Sequence, residues 1–398
     1  MLFAKKLNEE LELKAEDFRV FSIQKNANLA SYRDSLEHFS TNAKELLPKV
    51  AKIDDGGALP GDELITNGSF VFQFSESWAN HEHAREWAGK VLDKRTTFAA
   101  DGSQIYAGGE TSVPIAAIQI GWFENPHDAS VKFEKNAHFE ILTPTDLIKD
   151  QEEPMNPDIR VEERRYLGEI FRISEFLKKH KGWKDRNERM PLAFFDNPLL
   201  VPFSQKGLQQ SLLKATIGLV ELSLETQVPV VGYVARSFSR DILKMLDIAD
   251  PGKERSPANL FDGSLLGFEK QGILNKWGYR SCFCYSKRRG LDSFFDKTTA
   301  RSTIGFVYLA TASDSVPARL DLPVWVYEKG LLNEILDVIR AECIIGLGYP
   351  YPLESADQMA VIAGRDRDIF FRSLQSFAGR GDFGFNVSRK NASKSRRR

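Results

Sequence analysis

The chain has 398 residues, 42% apolar and 11% aromatic, enough for one large core or two smaller ones. Its formal charge is only −1, so bulk charge does not call for a nucleic-acid partner. Three cysteines (Cys282, Cys284, Cys343) do not make a disulfide framework or a zinc site. No stretch approaches a bilayer span, so a soluble protein of the reducing cytoplasm is expected.

Residues 1–94 read as a polar, mostly helical N-terminal extension. Phe18, Phe21, Leu29, Tyr32 and Leu36 recur at helical spacing, and SWANHEHAREWAGKVL continues the pattern. His81 and His83 in that run are two apart, which on a helix points them away from each other and from a shared ion.

The texture changes at residue 96. Thr96–Asp101, Pro114–Phe123 and Phe139–Leu142 are predicted strands, and Asp158–His180 is a helix with apolar Val161, Tyr166, Ile170, Ile173 and Leu177. Met190–Phe195 is a short buried strand, followed by a helix at Leu208–Glu225, a strand at Pro229–Ala235 and a helix at Ser239–Ile248. Residues 249–278 read as a loop-rich insertion, in which the Asp262 of FDGSLL is a turn residue. Strands at Tyr279–Tyr285, Ile304–Ala310 and Leu320–Tyr327 precede helices at Leu331–Ile345 and Glu354–Leu374. The tail, 376–398, carries Arg389, Lys390, Lys394, Arg396, Arg397 and Arg398 near its end with no acid among them, and is expected to be disordered. The alternation from residue 96 onward predicts an α/β fold with helices packed on a mixed central sheet.

Two aspartates, Asp101 and Asp196, stand where predicted strands stop, and Gly102 follows the first. The helix between them carries Glu162, Glu163, Glu169 and Glu175. Adjacent strands would bring both aspartates to one edge, where a helical glutamate could join them. Crowded carboxylates cannot all ionise without a cation, and Mg²⁺ or Mn²⁺ suits such oxygen donors. The competing reading makes both aspartates ordinary turn residues. Arg164, Arg165, Arg236, Arg240 and the run Lys287-Arg288-Arg289 are candidate phosphate contacts, the run being equally readable as a solvated turn. Trp122 and Phe123 read either as core or as a stacking surface. No phosphate-binding G-x-x-x-x-G-K-[ST] loop occurs, so any motor is a separate protein.

Taken in order, the strand-Asp-Gly-Ser at Asp101, the Arg165-x-x-x-Glu169 step, the strand-Asp-Asn-Pro-Leu at Asp196 and the closing GYPYPLESADQMAVI resemble the NurA nucleases over roughly residues 95–375. VPVVGYVARSFSRDIL and PARLDLPVWV resemble that family's later strands. The resemblance implies an RNase H-like fold and a DNA nuclease needing Mn²⁺ or Mg²⁺, with two ions. It implies 5′–3′ exonuclease and single-strand endonuclease activity in DNA end processing and double-strand break repair. It also implies a homodimer working with a HerA-like hexameric DNA translocase, in the cytoplasm at the nucleoid. Asp101, Asp196 and Glu169 would be metal ligands, with Glu163 the alternative to Glu169, and Tyr349 would lie near them. Where the family pattern has His this chain has Asp357, and no histidine follows His180, so a fourth carboxylate ligand is expected. Asn197 stands where Gly is usual. Arg165, Arg236, Lys287, Arg288 and Arg289 are the expected nucleic-acid contacts. The lost histidine also motivates a second reading, a catalytically decayed adaptor that binds DNA ends or a translocase.

Overall fold

The computed structural model describes residues 3–148, 156–200, 209–253, 255, 260–267, 272–288, 294–296, 301–312, 316–381 and 385–386. The chain forms two compact units, one from residues 1–76 and 234–324, the other from 77–233 and 325–398.

The second unit is built on five strands: β1 (Thr97–Ile105), β2 (Ala116–Asn125), β3 (Glu134–Leu142), β4 (Leu192–Phe195) and β5 (Val230–Val234). Their spatial order is β5-β4-β1-β2-β3. The β1–β2 and β2–β3 pairs are antiparallel, and β1–β4 and β4–β5 are parallel. β4 lies between two parallel neighbours and is buried throughout, which is why LAFF reads as a continuous apolar run. β3 pairs with β2 along its length and carries exposed Glu134 and His138, polar side chains that suit a strand near water.

The longer helices of this unit are α1 (His81–Leu92), α2 (Pro157–Lys179), α3 (Gln209–Thr226), α4 (Leu332–Ile345), α5 (Tyr351–Ala360) and α6 (Gly364–Arg380). α2 begins with the Asn156 side chain accepting the Asp158 N–H, has Pro at its first position, and ends in Lys178 and Lys179. Its buried stripe, from Val161 through Leu177, includes Phe176, whose ring stacks on Phe98 of β1 at 4.8 Å. On the other side of α2, the Tyr166 hydroxyl meets Thr216 of α3 at 2.8 Å.

Three expected boundaries move. The strand expected to stop at Asp101 runs on to Ile105, because β2 pairs with all nine of its residues and overrides the local turn signal of Asp-Gly-Ser. The single helix expected over Glu354–Leu374 is two. Gln119 of β2 donates to the carbonyls of Met359 and Ala360, and Asp366 accepts the Ala363 N–H, so one helix closes and the next is capped within a few residues. The strand expected to reach Tyr327 ends at Pro323, which has no N–H to continue a ladder, and Val324–Glu328 is helical.

In the first unit, helices Ala4–Leu13, Ala15–Thr41 and Ala43–Ala51 accompany an antiparallel sheet ordered Gly57–Pro60, Cys284–Lys287, Ile304–Leu309 and Ala318–Pro323. Leu29, Tyr32, Leu36 and Phe39 share one core with Ile242, Leu246, Leu265, Leu266 and Leu274. Residues expected as an extension and as a loop insertion thus help build this core. Asp262 is fully buried: its carboxylate accepts the N–H groups of Asp241, Ile242 and Leu243 and the Tyr308 hydroxyl, capping helix Asp241–Ala249. Cys282 and Cys284 are buried free thiols with sulfurs 3.8 Å apart. Among the described residues no helix is long and apolar enough to cross a membrane. Of the expected tail, 376–380 complete α6, and 382–384 and 387–398 lie outside the described residues.

Candidate active site

Parallel register sets the first pair of acids. Ala100 of β1 pairs with Phe195, the last residue of β4, so the next residues, Asp101 and Asp196, stand abreast on strands about 4.8 Å apart. In the antiparallel ladder Asp101 lies opposite Gly121 of β2, and opposed residues share a face of the sheet. On that face lies α5. A Cβ at Gly121 would fall 2.5 Å from the Ala360 nitrogen and 2.8 Å from the Ala356 carbonyl, so only glycine lets α5 rest directly on the strand. This contact brings Asp357 of α5 within hydrogen-bonding reach of Asp101. The Tyr349 hydroxyl, from the turn ahead of α5, donates to Asp196 Oδ1 at 2.8 Å, and its ring rests edge-on against Tyr233 of β5 at 5.3 Å.

Glu169 comes from the opposite side. Side chains alternate along a strand, so Gly102 faces α2 while Asp101 faces α5. A Cβ at Gly102 would lie 2.5 Å from Arg165 Cγ and 2.7 Å from Glu169 Oε1, so the missing side chain is the space this ion pair fills. Glu169 is fully buried. Its Oε1 accepts from Arg165 at 2.6 Å and its Oε2 from the Asn197 amide at 3.1 Å, and Arg165 also reaches the Gly102 carbonyl at 3.3 Å. Glu163, the alternative, is instead paired with Arg160 at 2.6 Å.

Burial dominates the electrostatics. It pushes the Asp101 carboxyl up to about 6, with the Gly102 N–H opposing and Asp196 and Asp357 adding to the rise. It pushes Glu169 up to about 8 against the pull of Arg165, and Asp101 and Asp196 add to this shift too. Asp196 is likewise raised by burial, with the Tyr349 hydroxyl opposing and Asp357 reinforcing. Tyr349 is raised by burial and then by the charge of Asp196, so it keeps its proton at any working pH. These are carboxylates crowded out of water, and positive charge would relieve the strain among them.

Their oxygen donors suit Mn²⁺ or Mg²⁺ in kind. Among the described residues, however, no three His, Cys, Asp or Glu side chains already enclose an ion, and both oxygens of Glu169 have protein partners. Asp101, Asp196, Asp357 and Tyr349 gather on one face, and Glu169 reaches them only past Gly102.

The expected phosphate contacts scatter. Arg165 is tied to Glu169, and Arg164 forks onto Glu140 at 2.9–3.2 Å. Arg236, Lys287 and Arg288 belong to the first unit. There Lys287 donates to the Ala51 carbonyl, and Arg288 holds both oxygens of Asp241 and the Ser239 hydroxyl. Arg289 lies outside the described residues. Phe123 is core at 1% exposure, whereas the Trp122 ring lies under the Arg172 guanidinium at 4.1 Å. Sequence reading missed a polar line continuing from Gly102: Gln104 donates to the Tyr106 hydroxyl at 2.8 Å, and that hydroxyl donates to Glu162 at 3.1 Å. Period-two spacing beyond Gly102 is the signal for it, masked by the turn chemistry of Asp-Gly-Ser.

Five strands in this order, flanked by helices, with one carboxylate on the first strand and another just past the end of the fourth, make an RNase H-like arrangement. The profile of the NurA domain matches residues 95–362, more than half of the chain, and the chain belongs to the NurA family. That membership supports a nuclease function. Among solved structures the chain is similar to a NurA crystallised with manganese, at 10% identity and a TM-score of 0.39, covering 71% of this chain and 89% of that one. It is also similar to the catalytic domain of human endonuclease V (13% identity, TM-score 0.32, covering 79% of this chain and 99% of that one). Endonuclease V of Bacillus subtilis matches at 11% identity and a TM-score of 0.33, covering 77% of this chain and all (100%) of that one. Likenesses this distant say nothing about activity. No curated protein sequence matches the chain significantly.

Proposed function

We propose that this protein is a divalent-metal-dependent DNA nuclease, cutting single strands internally and degrading DNA from 5′ ends during double-strand break processing. The observation that carries the reading is the in-register pair Asp101 and Asp196, with Asp357 on the same face and burial pushing both aspartates upward. Asp101, Asp196 and Asp357 would hold Mn²⁺ or Mg²⁺, with Glu169 completing the set. A bound divalent ion supplies charge neutralisation and an activated water, and two such ions would clamp both sides of an in-line displacement. Tyr349 stays protonated and spends its one hydroxyl hydrogen on Asp196, fixing that carboxylate in place. Arg165 holds Glu169 beneath Gly102 and places positive charge beside the acids. By family resemblance the protein works as a homodimer with a HerA-like hexameric translocase.

The test is cleavage of labelled single-stranded and duplex DNA in Mn²⁺ by the wild type, Asp101→Asn and Asp196→Asn. Both variants should fall to background, and undiminished cleavage by both would overturn the reading. The engaged oxygens of Glu169 favour one alternative, an adaptor with a decayed site. Titration calorimetry with Mn²⁺ separates the two, since an adaptor would show no uptake that depends on Asp101.

A further inference from the structure

Between the last strand of the second unit and helix Asp241–Ala249 runs the pentapeptide Arg236-Ser237-Phe238-Ser239-Arg240, whose side chains alternate in exposure. Its serines face inward. Ser237 Oγ donates to Ser239 Oγ at 2.9 Å, the Ser239 carbonyl accepts the Asp262 N–H at 2.8 Å, and Ser239 Oγ accepts from Arg288 at 2.6 Å. Behind them, Arg288 and Arg319 both clasp Asp241, and Asp262 caps the next helix. The loop is therefore stitched to a buried charge network and presents its outer residues on a rigid backing.

Those outer residues are a cation, an aromatic ring and a cation. Phe238 is 66% exposed although the loop that carries it is firmly held. Its ring meets Phe261 edge-on at 5.0 Å. Together they border a cavity of about 210 Å³, also lined by Phe21, Lys25 and Arg236, with no acidic side chain among the described residues that line it. Aromatic faces interleaved with positive charge are how single-stranded nucleic acid is gripped without regard to sequence: bases stack and phosphates pair.

We propose that this pentapeptide is a single-stranded DNA cradle in the first unit, with Phe238 stacking a base at the cavity mouth while Arg236 and Arg240 hold the flanking phosphates. The assignment rests on the nuclease reading and adds to it a place where substrate is held by residues outside the carboxylate cluster. Duplex DNA, whose bases are already stacked on one another, gains nothing from Phe238.

Fluorescence anisotropy in EDTA, where no cleavage occurs, tests this with an oligothymidylate, an abasic strand of equal length and a duplex. Phe238→Ala should weaken oligothymidylate binding about 5- to 150-fold, the worth of one stacked base, and leave the abasic strand unchanged. Phe238→Trp should restore binding. Arg236→Gln should weaken both strands and lower the salt-dependence slope by about 1. Because Phe238 is exposed, Phe238→Ala should melt with the wild type, and matching melts exclude a folding defect. Oligothymidylate affinity unmoved by Phe238→Ala, or lost equally for the abasic strand, overturns the cradle while leaving the nuclease intact. A change only in sedimentation would make the face a self-contact and also overturn it. A wild type that binds no DNA removes both proposals at once.

Discussion

Two glycines, Gly102 and Gly121, are each pressed against the site, and the difference between their neighbours makes a quantitative test. In Gly102→Ala the new methyl lands on side-chain atoms, 2.5 Å from Arg165 Cγ and 2.7 Å from Glu169 Oε1. These can rotate, but Glu169 is fully buried and can move only by giving up Arg165 or Asn197. Overpacking of this kind costs about 1–3 kcal/mol. In Gly121→Ala the methyl lands on backbone, the Ala360 nitrogen at 2.5 Å and the Ala356 carbonyl at 2.8 Å, and α5 must lift as a body. That cost belongs at or above the upper end of the range, about 3 kcal/mol. Urea denaturation in EDTA measures both, and Mn²⁺ calorimetry measures the effect on the acids. Gly121→Ala should be the less stable of the two, and both should lose Mn²⁺ affinity, one by shifting Glu169 and the other by withdrawing Asp357. If Gly102→Ala is as stable as the wild type and takes up Mn²⁺ unchanged, Glu169 does not occupy the space beneath Gly102 and the site as described is wrong.

Glu169 also sets a pH dependence in the absence of metal. Its carboxyl is raised from 4.5 to about 8 in the folded chain, so the folded state binds the extra proton. The resulting stabilisation is whole below about pH 4.5 and is lost as pH rises toward 8, amounting to about 3–5 kcal/mol for a fully buried group. Denaturation in EDTA should show stability falling across this window, and Glu169→Gln should make the fall shallower, the remainder coming from Asp101, Asp262 and Glu342, which burial also raises; an unchanged slope counts against a buried, protonated Glu169. Asp357→Asn should weaken Mn²⁺ binding by at least about tenfold in calorimetry, since it removes a charged oxygen donor beside Asp101; unchanged affinity would exclude Asp357 from the ligand set. Asp262→Ala strands three buried N–H donors and should cost about 2–4 kcal/mol, while Asp262→Asn, which keeps an acceptor, should cost less than half of that in the same melts.

Much of the second unit was legible because its signals are local. LAFF is too apolar and too short for anything but a buried strand, and Asn156-Pro157 with Lys178-Lys179 marks both ends of α2. Asp101 and Asp196 could be read because one sits within and the other follows such a strand. What was not legible depended on partners distant in sequence. Asp101 looked like a strand end because Asp-Gly-Ser is turn chemistry, and only pairing with β2 carries the strand to Ile105. The same triplet at Asp262 was read as a turn, whereas its three N–H partners begin 21 residues earlier. Lys287 and Arg288 read as phosphate contacts or as a solvated turn because neither Ala51 nor Asp241 is near them in sequence. Gly102 and Gly121 gave no hint of what presses on them, since a glycine's neighbours in space leave no mark on the residues beside it.

The order in which the chain is made bears on when the carboxylate cluster can assemble. β1 and β4, with Asp101 and Asp196, leave the ribosome long before α5, because the segment 234–324 of the first unit is synthesised in between. Until Tyr349 and Asp357 emerge, the two aspartates have neither the hydroxyl that steadies one nor the carboxyl that joins the other. A nascent or prematurely terminated chain therefore holds an incomplete carboxylate cluster, which closes only when α5 has been made.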